Sequence, residues 1–196
     1  MPRPTIDIRS ATQDEMPVAV SAVVAAFITD PVTRFALPKP HVYLGAMPAL
    51  VRAFTGGAFE HGSAYVTPCF RGAALWLPPG VHPDEEALAK IIQECAPPEH
   101  LGDLLGTLEE MGKSHPAEPH WYLPMIGVEP YAQGQGLGDA LMRHALERCD
   151  EDGLLAYLES TNPRNISLYE RHGFEIMTRI QLGDVPPVAP MLRRPR

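Results

Sequence analysis

The strongest hydrophobic patterning lies in the last third of the chain. The run Trp-Tyr-Leu-Pro-Met-Ile-Gly-Val at 121–128 is almost continuously apolar, the mark of a strand covered on both faces. After a glycine-rich turn at 133–138, Leu137, Leu141, Ala145 and Cys149 recur at multiples of four, with Asp139, Arg143, Glu147 and Asp150 elsewhere. That spacing predicts an amphipathic helix, and Gly153 ends it. Residues 154–158 form another apolar strand, 164–171 a helix closed by Gly173, and 174–182 and 189–192 closing strands. Strand, glycine turn, helix, strand, helix, strand is an α/β order with at least one right-handed crossover.

The first two thirds are less regular. Residues 5–8 alternate and predict a short strand. Asp14 is placed to cap a helix whose apolar surface is Val18, Val20, Val23, Val24 and Phe27, and which the pair Asp30-Pro31 ends. A second helix covers about 41–59, and Pro48 is expected to kink or divide it. Residues 63–67 and 72–77 read as two strands joined through Pro68-Cys69-Phe70-Arg71. Residues 84–111 are helical in pattern but broken at Pro97-Pro98, and 112–119 is a polar loop with two prolines.

With 196 residues, 45% hydrophobic and 20% charged, the chain suits one ordinary globular domain over 1–196. A net charge of −8 argues against a nucleic-acid partner, which needs clustered Lys and Arg; Arg193, Arg194 and Arg196 read as a solvated tail. Three scattered cysteines without CxxC, and eight histidines without HExxH, suggest neither a disulfide framework nor a metal site. No apolar run approaches a signal peptide or a membrane span, so the expectation is a cytoplasmic protein with no membrane partner.

Three alternating glycines (Gly134, Gly136, Gly138) open a helix directly after a buried strand. Glycine permits close approach to backbone N–H groups, and a helix N-terminus offers unpaired donors and a positive dipole end, so the place suits a pyrophosphate. The P-loop reading fails because no Lys followed by Ser or Thr closes the turn. The GxGxxG reading fails because the third glycine comes one residue early. What remains is Gln-x-x-Gly-x-Gly at 133–138, preceded by Val128-Glu129-Pro130.

This pattern resembles the pyrophosphate signature of the GNAT superfamily of N-acetyltransferases. A second stretch, Leu-Glu-Ser-Thr-Asn-Pro-Arg-Asn-Ile-Ser-Leu-Tyr-Glu-Arg-His-Gly-Phe at 158–174, is similar to the superfamily's Asn, Leu-Tyr, Gly-Phe signature at the expected distance. More narrowly, 119–174, Ala25-Ala26-Phe27 and Pro31-x-Thr33-Arg34 resemble the puromycin N-acetyltransferase type.

The resemblance implies a GNAT fold: a mixed, mostly antiparallel central sheet flanked by helices, with a splayed strand pair holding the cofactor. It implies a core over 120–182 that binds acetyl-CoA as co-substrate, and acceptor-side elements mainly in 1–119. Backbone groups of Ile126, Gly127 and Val128 would meet the pantetheine arm, with an oxyanion donor among them. Gln133, Gly134, Gln135, Gly136, Leu137 and Gly138 would hold the pyrophosphate. Pro124 departs from this strand, since it cannot donate to a ladder; either it sits at a bulge or its position faces no partner. Tyr169 would protonate the departing thiolate. Glu159 is the first choice for base or amine-orienting group, with a structural carboxylate pairing with Arg164 or a backbone N–H as the competing reading; His120 is the weaker candidate. Asn162 and Asn165 would cap a helix or touch the cofactor.

The reaction so implied is transfer of acetyl to a primary amine of a small molecule by direct attack in a ternary complex. The alternatives are a non-catalytic acyl-CoA sensor or an enzyme acting on a protein amine. A homodimer through the closing strands is a further expectation.

Overall fold

In the computed structural model, residues 6–196 are described, and seven strands form one sheet in the order β1-β2-β3-β4-β5-β7-β6. The strands are β1 (Arg9–Ser10), β2 (Ala64–Val66), β3 (Gly72–Leu77), β4 (His120–Val128), β5 (Leu155–Ser160), β6 (Glu175–Ile176) and β7 (Ala189–Arg193). All neighbours are antiparallel except β4 and β5, which run parallel and are joined through a helix, as a parallel pair requires. The mixed, mostly antiparallel sheet expected from the sequence is therefore present.

The helices are α1 (Met16–Ala26), α2 (Pro31–Ala36), α3 (Pro40–Glu60), α4 (Glu85–Cys95), α5 (Leu101–Ser114), α6 (Leu137–Glu151) and α7 (Ile166–Arg171). Period-2 alternation along the strands divides the core. Ala73, Leu75, Leu77 and Tyr122 face one side, where Val20, Val23, Met47, Val51, Leu88, Ile92 and Leu104 of α1, α3, α4 and α5 cover them. Ala74, Trp76, Trp121, Leu123 and Leu158 face the other, beneath Leu141, Met142 and Leu146 of α6 and Tyr169 of α7.

Several elements differ from the sequence reading, each for a local reason. The first strand is Arg9–Ser10; residues 6–8 are outside it, and Thr5 lies outside the described residues. Thr12, not Asp14, begins the first helical segment: its backbone N–H donates to Glu15 Oε2 at 2.9 Å in a capping box, three residues apart as that motif needs. Asp30-Pro31 does not merely end a helix. Asp30 accepts from Thr33 N at 2.9 Å and caps α2, with Pro31 in its first turn, an element the hydrophobic pattern does not reveal.

Nor does Pro48 divide α3, which runs unbroken for 21 residues. An interior proline costs about 3 kcal/mol, whereas full burial of Met47, Leu50 and Val51 stabilises by roughly 1.5–3 kcal/mol each. The carbonyl left without a donor belongs to Leu44, on the exposed side of the helix. Arg193 is not part of a solvated tail: it is buried, its guanidinium meets both carboxylate oxygens of Asp150 at 2.7 and 2.8 Å, and its Nε donates to the His172 carbonyl. A last strand spanning 174–182 shrinks to β6 plus an isolated bridge between Ile180 and Val188.

Candidate active site

The parallel ladder between β4 and β5 ends at the pairs Tyr122–Tyr157 and Leu123–Leu158. Pro124 follows, and the pairing of β3 with β4 slips there: Leu75 opposes Met125, yet Leu77 opposes Tyr122. The extra residue on β4 is a bulge containing Pro124, one of the two places a proline without an N–H can occupy in a strand. It also flips the faces, so that Tyr122 and Met125 both point to the α1/α3 side while Leu123 and Ile126 point to α6.

Beyond the bulge the two strands part. The end of β5 pairs only with β7, through Glu159–Pro190 and Ser160–Ala189, and leaves 125–128 of β4 open on that side. Glu129 N donates to Arg71 O at 2.9 Å, so by alternation the N–H and C=O groups of Gly127 face β3 and those of Ile126 and Val128 face the gap. The Val128 carbonyl already accepts from Gln133 Nε2 at 3.0 Å, which ties the strand end to the glycine turn.

Within that turn Gly134 (φ 74°) and Gly136 (φ 85°) are left-handed, the conformation that excludes most other residues. Gly136 is the N-cap of α6 and no side chain caps the helix, so the first-turn N–H groups, including those of Leu137 and Gly138, have no intrahelical partner. Gln135 donates to Tyr131 O at 3.0 Å, so both glutamine amides brace their own loop. Gly127 answers a different need: a Cβ there would lie 2.5 Å from Ala26 Cβ, so α1 can press on β4 only because that position has no side chain.

A cavity of about 100 Å³ runs from this open edge beneath the helical layer. Ile126, Leu158, Glu159, Thr161, Asn165 and Tyr169 line its sheet end. Its far wall is apolar, with Phe27 from the turn after α1 and Val32, Leu50, Phe54, Ile92, Leu104, Leu108 and Met111 contributed by α2 to α5. Ile126, Glu159, Asn165 and Tyr169 are thus brought together, while Gln133 to Gly138 stand at the other end of the open edge.

The Glu159 side chain is only 2% exposed. It pairs with neither Arg164 nor a backbone N–H; its neighbour is His115, with Nε2 3.3 Å from Oε1. Tyr122 and Tyr157 stand beside it, and burial, reinforced by the Glu159 charge, raises both phenols above their ordinary range. His120 stands behind His115 and does not line the cavity. The sequence gives no signal for His115, which follows α5 in the proline-containing loop and meets Glu159 only through the fold.

Tyr169 is buried on α7, and burial, with Asp30 nearby, raises its phenol above the ordinary value, so it remains protonated through the physiological range. Asn162 caps the turn before α7 by accepting from Arg164 N at 3.1 Å. Asn165 lies at the N-terminus of α7 without a side-chain cap bond, and it lines the cavity. Asp30 is 5% exposed and accepts from Thr161 Oγ1 at 2.7 Å, joining the α2 cap to the end of β5. The Asp-Pro pair was the available sequence signal for this cap.

Residues 76–174 match the model of the acetyltransferase (GNAT) family, and the chain belongs to that family of acetyl-CoA-dependent transferases. It is similar to an uncharacterized N-acetyltransferase of Schizosaccharomyces pombe, 28% identical over 147 residues, which are 64% of this chain and 57% of that protein. A mycothiol acetyltransferase of Saccharomonospora viridis is 39% identical over 74 residues, 32% of this chain and 24% of that one. The matched stretches therefore span little more than half of the first relative and about a quarter of the second. A crystal structure from Corynebacterium glutamicum, described as a histone acetyltransferase and related acetyltransferase, superposes with TM-score 0.70 at 27% identity, covering 98% of this chain and 97% of that one.

Proposed function

We propose that the chain is an N-acetyltransferase that moves the acetyl group of acetyl-CoA to a primary amine of a small molecule carrying an apolar body. The observation that carries this reading is the shared cavity: one continuous space touches the open edge at Ile126, the phenol of Tyr169 and the carboxylate of Glu159. In this reading the pantetheine arm adds to the edge of β4 as a missing strand, pairing with Ile126 and Val128. The pyrophosphate meets the N–H groups of 134–138, and a backbone N–H of β4 receives the developing oxyanion.

The amine attacks the thioester carbonyl directly. Its proton goes to Glu159, and the Tyr169 phenol gives a proton to the departing sulfur, whose thiol pKa is about 8.5. A base matters most for an alkylamine, with a pKa of about 10, and least for an α-amino group near about 7.7. Residues before 120 form the acceptor wall. Their apolar character, with Glu159 the single charged group lining the cavity, favours an aryl- or alkyl-bearing monoamine over a polycation. The likeness of 119–174 to the puromycin-acetylating type makes an aminonucleoside one member of that class.

The test is release of free CoA thiol from acetyl-CoA with a panel of amines: arylalkylamines, puromycin, polyamines and a peptide N-terminus. Turnover with an apolar monoamine supports the reading, and a preference for the peptide transfers it to protein substrates. A melting temperature raised by acetyl-CoA with no turnover on any amine makes the chain a sensor instead.

A further inference from the structure

Behind Glu159, on the side away from the cavity, stands a chain of imidazoles with a defined direction. His120 Nδ1 lies 2.8 Å from the carbonyl oxygen of Glu118. A carbonyl only accepts, so this nitrogen carries a hydrogen and, in neutral His120, Nε2 is left as an acceptor. His115 Nδ1 lies 3.1 Å from that Nε2 and must therefore be the donor. Nε2 is then the acceptor left to His115, and it lies 3.3 Å from Glu159 Oε1. Two acceptors face each other unless a proton lies between them.

Glu159 Oε1 has no hydrogen-bond partner among the described residues, the 3.3 Å approach of His115 Nε2 not being one, and the buried Tyr157 hydroxyl beside it has none either. Burial keeps His120 below the usual imidazole range, which preserves its Nε2 as an acceptor at neutral pH. The remaining neighbours hold His115 by shape. Tyr122 meets its ring edge-on at 4.6 Å between centroids, and Tyr157 lies at 4.4 Å. His82 is the other titratable group facing His120.

We propose that the base of the reaction is a Glu159–His115 pair that takes up one proton between its two atoms, with His120 and the Glu118 carbonyl fixing the tautomer that makes the pair receptive. This rests on the amine-acetylating reading above. The proton leaves the attacking nitrogen, whose bonding electrons stay on nitrogen, and arrives on Glu159. It is then shared with His115 Nε2 as an ionic hydrogen bond. The His115 side chain is 25% exposed, so the imidazoles rather than the buried carboxylate return a proton to water. One proton enters and one leaves, and the pair finishes each turnover with its starting charge. His115 acts through Glu159 and is a positioning residue, since only Glu159 reaches the cavity.

The test uses the full chain with an alkylamine that the wild type acetylates. His115→Gln keeps an N–H donor toward Glu159 but cannot hold the proton. Its kcat at neutral pH is expected to fall roughly tenfold or more with the acetyl-CoA KM unchanged. The acid limb of the kcat profile is expected at lower pH, because the coupled pair has been reduced to a lone carboxyl. His115→Gln added to Glu159→Gln is expected to cost nothing further, since members of one unit are not additive. A uniform drop across pH, or a double variant that loses the product of the two single effects, overturns the proposal. Nitrogen-15 spectra of the wild-type imidazoles decide it without variants: Nδ1–H on both His115 and His120 is expected, and a neutral Nε2–H tautomer on His115 overturns it. A protein that acetylates no amine defeats the reading of the reaction, and the imidazole tautomers still decide the pair.

Discussion

The open edge of β4 and the helical wall facing it enclose one cavity, yet the first presents backbone and the second presents side chains. At the edge, the directions of Ile126 and Val128, the bulge at Pro124 and the left-handed glycines 134 and 136 create a row of donors and acceptors. Opposite, Phe27, Leu50, Phe54, Leu108 and Met111 offer shape alone, and Glu159 supplies the charge. A backbone site is indifferent to most side-chain changes and sensitive to φ; a side-chain wall is the reverse. This contrast teaches which half is expected to stay fixed while the acceptor varies.

The contrast can be broken most sharply at the residue that belongs to both halves. Tyr169→Phe is expected to lower kcat by about 10²–10⁴-fold while acetyl-CoA affinity, followed by calorimetry, stays unchanged. An equal loss of affinity would make the phenol a binding group. Next comes the backbone itself: Gly136→Val forces a branched side chain to φ 85°, at a cost of about 1–2 kcal/mol. The Kd for acetyl-CoA is expected to rise about tenfold or more, with the acceptor KM untouched. Gly127→Ala tests how the two halves are pressed together, because the new methyl meets Ala26. Overpacking of this kind costs about 1–3 kcal/mol, to be read as a lowered Tm of about 2–4 °C per kcal/mol. The smallest effect belongs to the wall. Phe54→Ala is expected to raise the acceptor KM about three- to tenfold, equal to roughly 1 kcal/mol, and to leave the KM of acetyl-CoA alone.

What could be read beforehand follows the same division. The glycine turn, the apolar strand before it and the Tyr169 stretch are contiguous in sequence, so spacing alone reveals them, and even the oddity of Pro124 pointed to its bulge. The acceptor side is assembled from 27 to 122 with no local rule, and its apolar residues look like core residues anywhere. Asp30 looked like a helix stop because its partner Thr161 lies 131 positions away. His115 sat in a stretch read as polar loop, and Arg193 in one read as tail, since neither Glu159 nor Asp150 is near it in sequence. The unbroken α3 shows the same limit: proline's local cost was legible, but the burial that outweighs it was not.

The central claim is that acetyl-CoA occupies the gap beside β4 as an added strand and its phosphates meet the start of α6. Amide hydrogen exchange with and without acetyl-CoA tests this most directly. Slowed exchange confined to the N–H groups of Ile126, Val128 and the turn and first turn at 134–140 is the predicted result. Protection elsewhere, or unchanged exchange at Ile126 and Val128 when the cofactor is bound, would contradict it.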